Sequence, residues 1–312
     1  MSRIGELLLK AALRLKEVRA KNGRGKGHAT DGHATNGHAG DATSDHGSPA
    51  AHESQDWARY IRWQYDSSKQ LFAKYPNFDV AGKTVLEIGC GTGGRAAYLA
   101  AAGASRVVAM DINAEEIAIA RKLVPELFPE IGDRVRYLTN TDDEAIGQFD
   151  IVVLVDCLEH VVSPPDIIRL AYDHTVAGGK CYISSIGWYH KDGSHTGLLP
   201  FVNVVFSDET ILNVTRWNVS RPEYTPTRFD SNPPIERWRG IYDLRQRPGE
   251  YLNKITLREM KRLVAHSIYP RASMHVLGLR PSSPLARLVN PLRHIPIVQE
   301  VAHSYVVIEL QR

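Results

Sequence analysis

The stretch at residues 85–95, "VLEIGCGTGGR", decides how this chain is read. An apolar run ends in four glycines, and one acid, Glu87, sits inside the run. A strand, a glycine turn and a helix starting near Gly93 would set backbone amides and a helix N-terminus against an anionic ligand group, with glycine letting the backbone come close. The spacing of Gly89, Gly91 and Gly94 satisfies the GxGxxG dinucleotide pattern, with Asp111 where a ribose-binding acid is expected. Glu87 argues for another ligand: a carboxylate at the end of the first strand repels a pyrophosphate and suits a molecule that presents an ammonium group.

Working outward, strands are expected at 84–88, 106–110, 134–139, 149–155 and 180–186, with helices at 93–102, 114–123 and 164–174 between them. Apolar strands separated by helices of about ten residues imply a parallel sheet covered on both faces. Upstream, "WARYIRWQYDSSKQLFAKY" (57–75) reads as an aromatic-rich helix or helix pair. Downstream, 187–253 reads as a long irregular stretch rich in Pro, Trp and Arg, after which a helix at 256–266 and strands at 273–279 and 304–310 close the domain.

The two ends of the chain differ in character. Residues 1–27 hold eight Lys or Arg against two Glu, while the whole 312-residue chain has a formal charge of +3. The remainder is therefore mildly acidic, which speaks against a DNA-wrapping domain. Ile4, Leu7, Leu8, Ala11, Leu15 and Val18 recur at helical spacing among Arg3, Lys10, Arg14 and Lys21, so 1–27 is expected to be a basic amphipathic helix. Such a helix suits weak contact with an anionic membrane surface or a partner protein, or serves as a solvated leader. Residues 28–54, Gly- and His-rich with His28, His33 and His38 every five residues, are expected to be a disordered linker. Residues 1–54 are thus expected to be dispensable for folding, with the catalytic domain at 55–312. Three scattered cysteines without a CxxC pair favour a reducing, cytoplasmic setting, peripheral to the membrane at most.

With these elements in place, the chain resembles the class I S-adenosylmethionine-dependent methyltransferases. "VLEIGCGTGG" is similar to that family's first motif, "VVAMDIN" to its second-strand acid, "FDIVVLVDCLEHV" to its fourth-strand motif, and "LAYDHTVAGGKCYIS" to its helix, glycine turn and fifth strand. The resemblance implies an α/β fold: a doubly wound, mostly parallel, seven-stranded Rossmann-like sheet, with "SYVVIEL" as an antiparallel last strand and 187–253 as a substrate cap inserted after strand 5. It implies S-adenosylmethionine as cofactor, with Glu87, Gly89, Cys90, Gly91, Gly93, Asp111, Ile112 and Asp156 around it. Asp111 would take both ribose hydroxyls and Ile112 would pack on the adenine. After the third strand, "LTNTDDEAI" departs from the family's usual Gly-Asp, leaving Thr141 or Asp142 to contact the adenine.

Two clusters are candidates for chemistry. Asp156, Glu159 and His160 fall at i, i+3 and i+4 just past the fourth strand, where one helical turn would bring them to one face. The "LEHV" portion resembles the segment of ubiquinone-biosynthesis O-methyltransferases in which acids and a histidine are connected with a divalent metal. His190 and His195 flank Asp192 in a glycine-bearing loop after the fifth strand and are expected to face His160. Together these residues supply a general base or, from Asp156, Glu159, His160, His190 and His195, a set of metal ligands. The expected reaction is O-methylation of a small-molecule acceptor, a sugar, lipid-linked or phenolic metabolite. A protein or RNA acceptor is the first alternative, disfavoured because the fourth-strand motif lacks an Asn/Asp-Pro-Pro-Tyr sequence; a non-catalytic cofactor-binding scaffold is the second.

Overall fold

The computed structural model describes residues 2–23, 49–140, 146–224, 251–279, 287, 289–292 and 294–312. The stretch 28–48 of the expected linker, Thr141, Asp142 and residues 225–250 of the expected cap lie outside them. The apolar runs form β1 (Thr84–Ile88), β2 (Arg106–Asp111), β3 (Val135–Thr139), β4 (Phe149–Val155), β5 (Thr175–Ser185), β6 (Arg271–Gly278) and β7 (His303–Gln311). They pair into one sheet in the order β3-β2-β1-β4-β5-β7-β6. The first five strands run parallel, and β7 lies antiparallel between β5 and β6.

Alternation along each strand divides the core into two layers. Val85, Val107, Ala109, Ile151, Val153 and Val307 face one cluster; Leu86, Ile88, Val108, Val152, Leu154 and Ile308 face the other. Glu87, two residues after Val85, therefore points into the first layer. There α2 (Pro49–Phe72), α3 (Gly94–Ala101) and α4 (Ala114–Leu127) cover the sheet, contributing Ile61, Ala97 and Ile117. The second layer is closed by α5 (Pro164–Asp173) and α8 (Leu257–Ala265) through Ile168, Ala171, Leu257 and Met260.

The helix before the sheet reaches the glycine loop. Gln64 of α2 accepts from Thr92 Oγ1 at 2.9 Å and from the Gly94 amide at 3.3 Å, so its side-chain oxygen caps the start of α3.

The structure differs from expectation in three places. Helix α2 begins at Pro49, so residues 49–54 of the expected disordered linker are helical. β5 starts at Thr175, with a register shift across Gly178 and Gly179 absorbed at φ +78 on Gly178. The stretch after β5 contains α6 (Val202–Val205) and α7 (Asp208–Val219), the latter capped by Ser207. Helix α1 (Ser2–Gly23) packs on α7: Leu9 and Leu13 are buried with Leu198, Val202, Ile211 and Val214. Arg221 pairs with Glu17 at 2.9 Å, and Lys10 and Arg14 lie over the Trp217 ring. Among the described residues no helix is long and apolar enough to cross a membrane.

Candidate active site

β1 and β2 run in register, Ile88 opposite Met110, so Glu87 and Asp111 stand near neighbouring strand ends. Glu87 is buried and its Oε2 has no hydrogen-bond partner. Burial pushes its carboxyl from the ordinary 4.5 up to about 8, eased by Arg95 and raised further by Asp111. An orphaned buried carboxylate oxygen costs stability, and an ammonium group placed against it would relieve that cost. The residues thus fit the amino-acid end of S-adenosylmethionine. Asp111 accepts from the Gly91 amide at 2.8 Å and from the Asn113 amide at 2.9 Å. Next to it, Ile112 is 56% exposed, an apolar face available to a planar ring.

The loop itself is shaped by close approach. Gly89 sits at φ +77, and a Cβ there would lie 2.6 Å from Cys157 Sγ, so only glycine lets β1 end against the segment after β4. Cys90 is buried beneath the loop. The loop amides are not presented outward as a set. Gly89 and Cys90 donate to Met110 O, Gly91 to Asp111, Gly93 to Cys90 O and Gly94 to Gln64. Arg95, in the first turn of α3, by contrast has its Nε buried without a partner.

Past β4 the chain turns sharply. Asp156 takes φ +50, and a single tight turn, Leu158–His160, replaces the helical turn expected from the spacing. Asp156 consequently takes partners apart from those of Glu159 and His160. Arg95 donates to Asp156 Oδ2 at 3.2 Å and Tyr305 to Oδ1 at 2.5 Å, so both carboxylate oxygens are held. Glu159 is buried and accepts from Ser185 Oγ at 2.8 Å; burial and the charge of Asp156 push its carboxyl upward. His160 Nδ1 lies 3.0 Å from the Tyr251 carbonyl, which can only accept, so Nδ1 carries the hydrogen and the neutral ring bears its lone pair on Nε2.

The loop after β5 brings one of its two histidines to this point. His195, at φ +51, sets its ring 5.0 Å from that of His160. Glu159, His160 and His195 each offer a ligand atom, all within 4.8 Å of one another, a set suited to a first-row ion. The five-residue metal set expected from sequence is not assembled: Asp156 is taken by Arg95 and Tyr305, and His190 is buried with its ring 5.0 Å from His303. Burial lowers the His303 pKa to about 4, the mark of a neutral core histidine. Sequence reasoning missed Arg95, Ser185, Tyr251 and Tyr305. Only Arg95, closing the glycine stretch, had a local signal.

A family model described as "Methyltransferase domain" matches residues 57–265. The ubiquinone biosynthesis O-methyltransferase of Pseudomonas paraeruginosa is 36% identical over 107 residues, 34% of this chain and 46% of that protein. The protein of the same name from Xanthomonas oryzae pv. oryzae is 35% identical over 108 residues, 35% of this chain and 45% of its own. The match thus spans less than half the length of these relatives. Among solved structures, an S-adenosylmethionine-dependent methyltransferase from Mesorhizobium loti aligns with TM-score 0.46 and 16% identity over 79% of this chain and 97% of its own. Phosphoethanolamine N-methyltransferase 2 of Haemonchus contortus aligns with TM-score 0.46 and 14% identity over 82% and 56%.

Proposed function

Since this chain belongs to the methyltransferase-domain family, we propose that it is an S-adenosylmethionine-dependent enzyme whose acceptor is a hydroxyl on a small molecule, a sugar, lipid-linked or phenolic metabolite. The observation that carries this reading is the His160–His195 pair, whose rings are 5.0 Å apart beside the buried Glu159. A hydroxyl is protonated at working pH and needs a base as the methyl arrives; an amine that is already neutral does not. The name of the O-methyltransferase relatives agrees with such an acceptor.

In this reading Glu87 holds the ammonium of the cofactor, Arg95 its carboxylate, Asp111 the ribose hydroxyls and Ile112 the adenine face. The bound cofactor supplies an electrophilic methyl group on a sulfonium. With that methyl bound, the protein would align the acceptor oxygen with it, the sulfonium sulfur would keep the electron pair of the bond that breaks, and His160 Nε2 would take the acceptor proton. Asp156 serves as a positioning residue between Arg95 and Tyr305. A second reading has Glu159, His160 and His195 hold a divalent ion that acidifies the acceptor hydroxyl, supported by their 4.8 Å grouping.

The test is release of S-adenosylhomocysteine by the full chain against fractionated small-molecule hydroxyl compounds, with protein and RNA extracts in parallel. Turnover confined to the small-molecule fractions supports the proposal. Turnover only on macromolecules, or cofactor binding without turnover on any fraction, refutes it.

A further inference from the structure

The cap carries a surface that methyl transfer does not use. While Leu9 and Leu13 bury one stripe of α1, Ile4, Leu7, Leu8 and Leu15 form a second stripe, each 60% to 69% exposed. At about 3.6 residues per turn, these positions fall on the side of the helix opposite Leu9 and Leu13. They therefore point away from the protein. Val204 and Val205 of α6, 45% and 70% exposed, add to the apolar area on a neighbouring segment, since a Cβ on Gly5 would lie 3.6 Å from Phe206.

Charges of both signs on α1 reach the segment after β5, Lys10 and Arg14 over Trp217 among them. Both of its acids turn to the cap: Glu6 accepts from Asn213 at 2.9 Å and Glu17 pairs with Arg221 at 2.9 Å. Arg3 and Arg14 are exposed along one edge of the outward stripe, Arg14 with its guanidinium also over the Trp217 ring. The outer face is thus apolar with a cationic margin. Helix α1 precedes the family match at 57–265, so its part of the face lies outside the matched domain.

We infer that this face docks on an anionic lipid bilayer, with α1 lying in the headgroup plane, its leucines inserted and its cations against acidic lipids. A second copy of the chain fits less well, because stacking two such faces would bring their cationic margins together. The docking helix is also joined to the site: Lys16 Nζ donates to Leu198 O at 2.9 Å, three residues beyond His195. An acceptor drawn from the bilayer would arrive beside the segment that carries His195.

The test is sedimentation of the full chain with phosphatidylcholine vesicles, with and without phosphatidylglycerol. The expected result is binding that requires phosphatidylglycerol, falls with added salt, and weakens by at least about tenfold in a Leu8→Glu, Leu15→Glu variant. Both side chains are exposed, so the variant should keep the parent's thermal melting curve. Failure of the parent to sediment with anionic vesicles overturns the inference, as does equal binding by a folded variant. Self-association of the parent that the variant abolishes, without vesicle binding, would assign the face to a second copy and overturn it too. Binding is read without turnover, so the inference stands or falls apart from the choice of acceptor.

Discussion

The Tyr305 hydroxyl, on β7, donates to Asp156 Oδ1 at 2.5 Å, so the last strand of the sheet holds the residue that ends the fourth. Behind it, Tyr75 donates to Ser184 Oγ at 2.6 Å and Ser184 lies 3.0 Å from the Tyr305 oxygen. With Asp156 as acceptor, the protons run one way, Tyr75 to Ser184 to Tyr305, and end on the carboxylate that Arg95 also grips. Each bond in such a chain polarises the next.

Because its bond ends on a charge, Tyr305→Phe should cost about 1.5–3 kcal/mol, and Tyr75→Phe, which removes a neutral bond, about 0.5–1.5 kcal/mol. Urea unfolding of both variants and of the double variant checks this. The double variant should cost less than the sum, and strict additivity would show that the hydroxyls act separately.

Glu87 should set stability against binding. Its folded carboxyl is raised from 4.5 to about 8, so the folded chain holds more protons than the unfolded one across that window, and its stability falls as pH rises through it. Glu87→Gln should therefore melt higher than the parent at about pH 9, by on the order of 1–3 kcal/mol, and close to it at about pH 5. The same variant should bind S-adenosylmethionine more weakly, and Asp111→Ala should lose on the order of 1–3 kcal/mol of affinity. Calorimetry and melting at both pH values measure the trade; a Glu87→Gln variant less stable at high pH would contradict the account.

The three histidines should separate by function. His160→Ala and His195→Ala should lower turnover by roughly 100- to 10,000-fold with little change in cofactor affinity. His190→Ala should mainly lower the melting temperature, because its buried ring packs on His303. If a metal is used, a chelator should abolish turnover and an added first-row ion should restore it, while Glu159→Gln should be inactive under either condition. Full activity in chelator leaves the base reading alone.

Removing residues 1–23 would bare Leu198, Val202, Ile211 and Val214. Two leucines returned to water cost about 1.5–3 kcal/mol each, so the cap should become susceptible to protease while the sheet still melts as a unit. Limited proteolysis of the shortened chain checks this; a cap as resistant as the parent's would show that it stands without α1.

The centre of the sheet was legible because β1, β2 and β4 are mostly apolar runs. "VLEI", "VVAM" and "IVVLV" pair in the register their lengths allow. α7 was not, because "DETILNVTRWNV" is rich in Thr, Val and Asn, which favour helix weakly, and its burial against α1, Leu198 and Val202 stabilises it. In the site, the acids of the glycine loop could be read from local spacing. The partners of Asp156 and His160 could not: Tyr305 lies 149 residues from Asp156, and Tyr251 lies 91 from His160. Nor could spacing choose between His190 and His195, since the choice turns on φ +51 at His195.

The place of β7 in the sheet bears on how the chain is made. It is held between β5 and β6, and it brings Tyr305 to Asp156. A ribosome that has released everything up to residue 300 has delivered the glycine loop and both histidines, yet the edge of β5 is still open and the turn after β4 is still unsupported. The nascent chain must wait, with an unpaired strand edge exposed to other chains, until His303–Gln311 has been made.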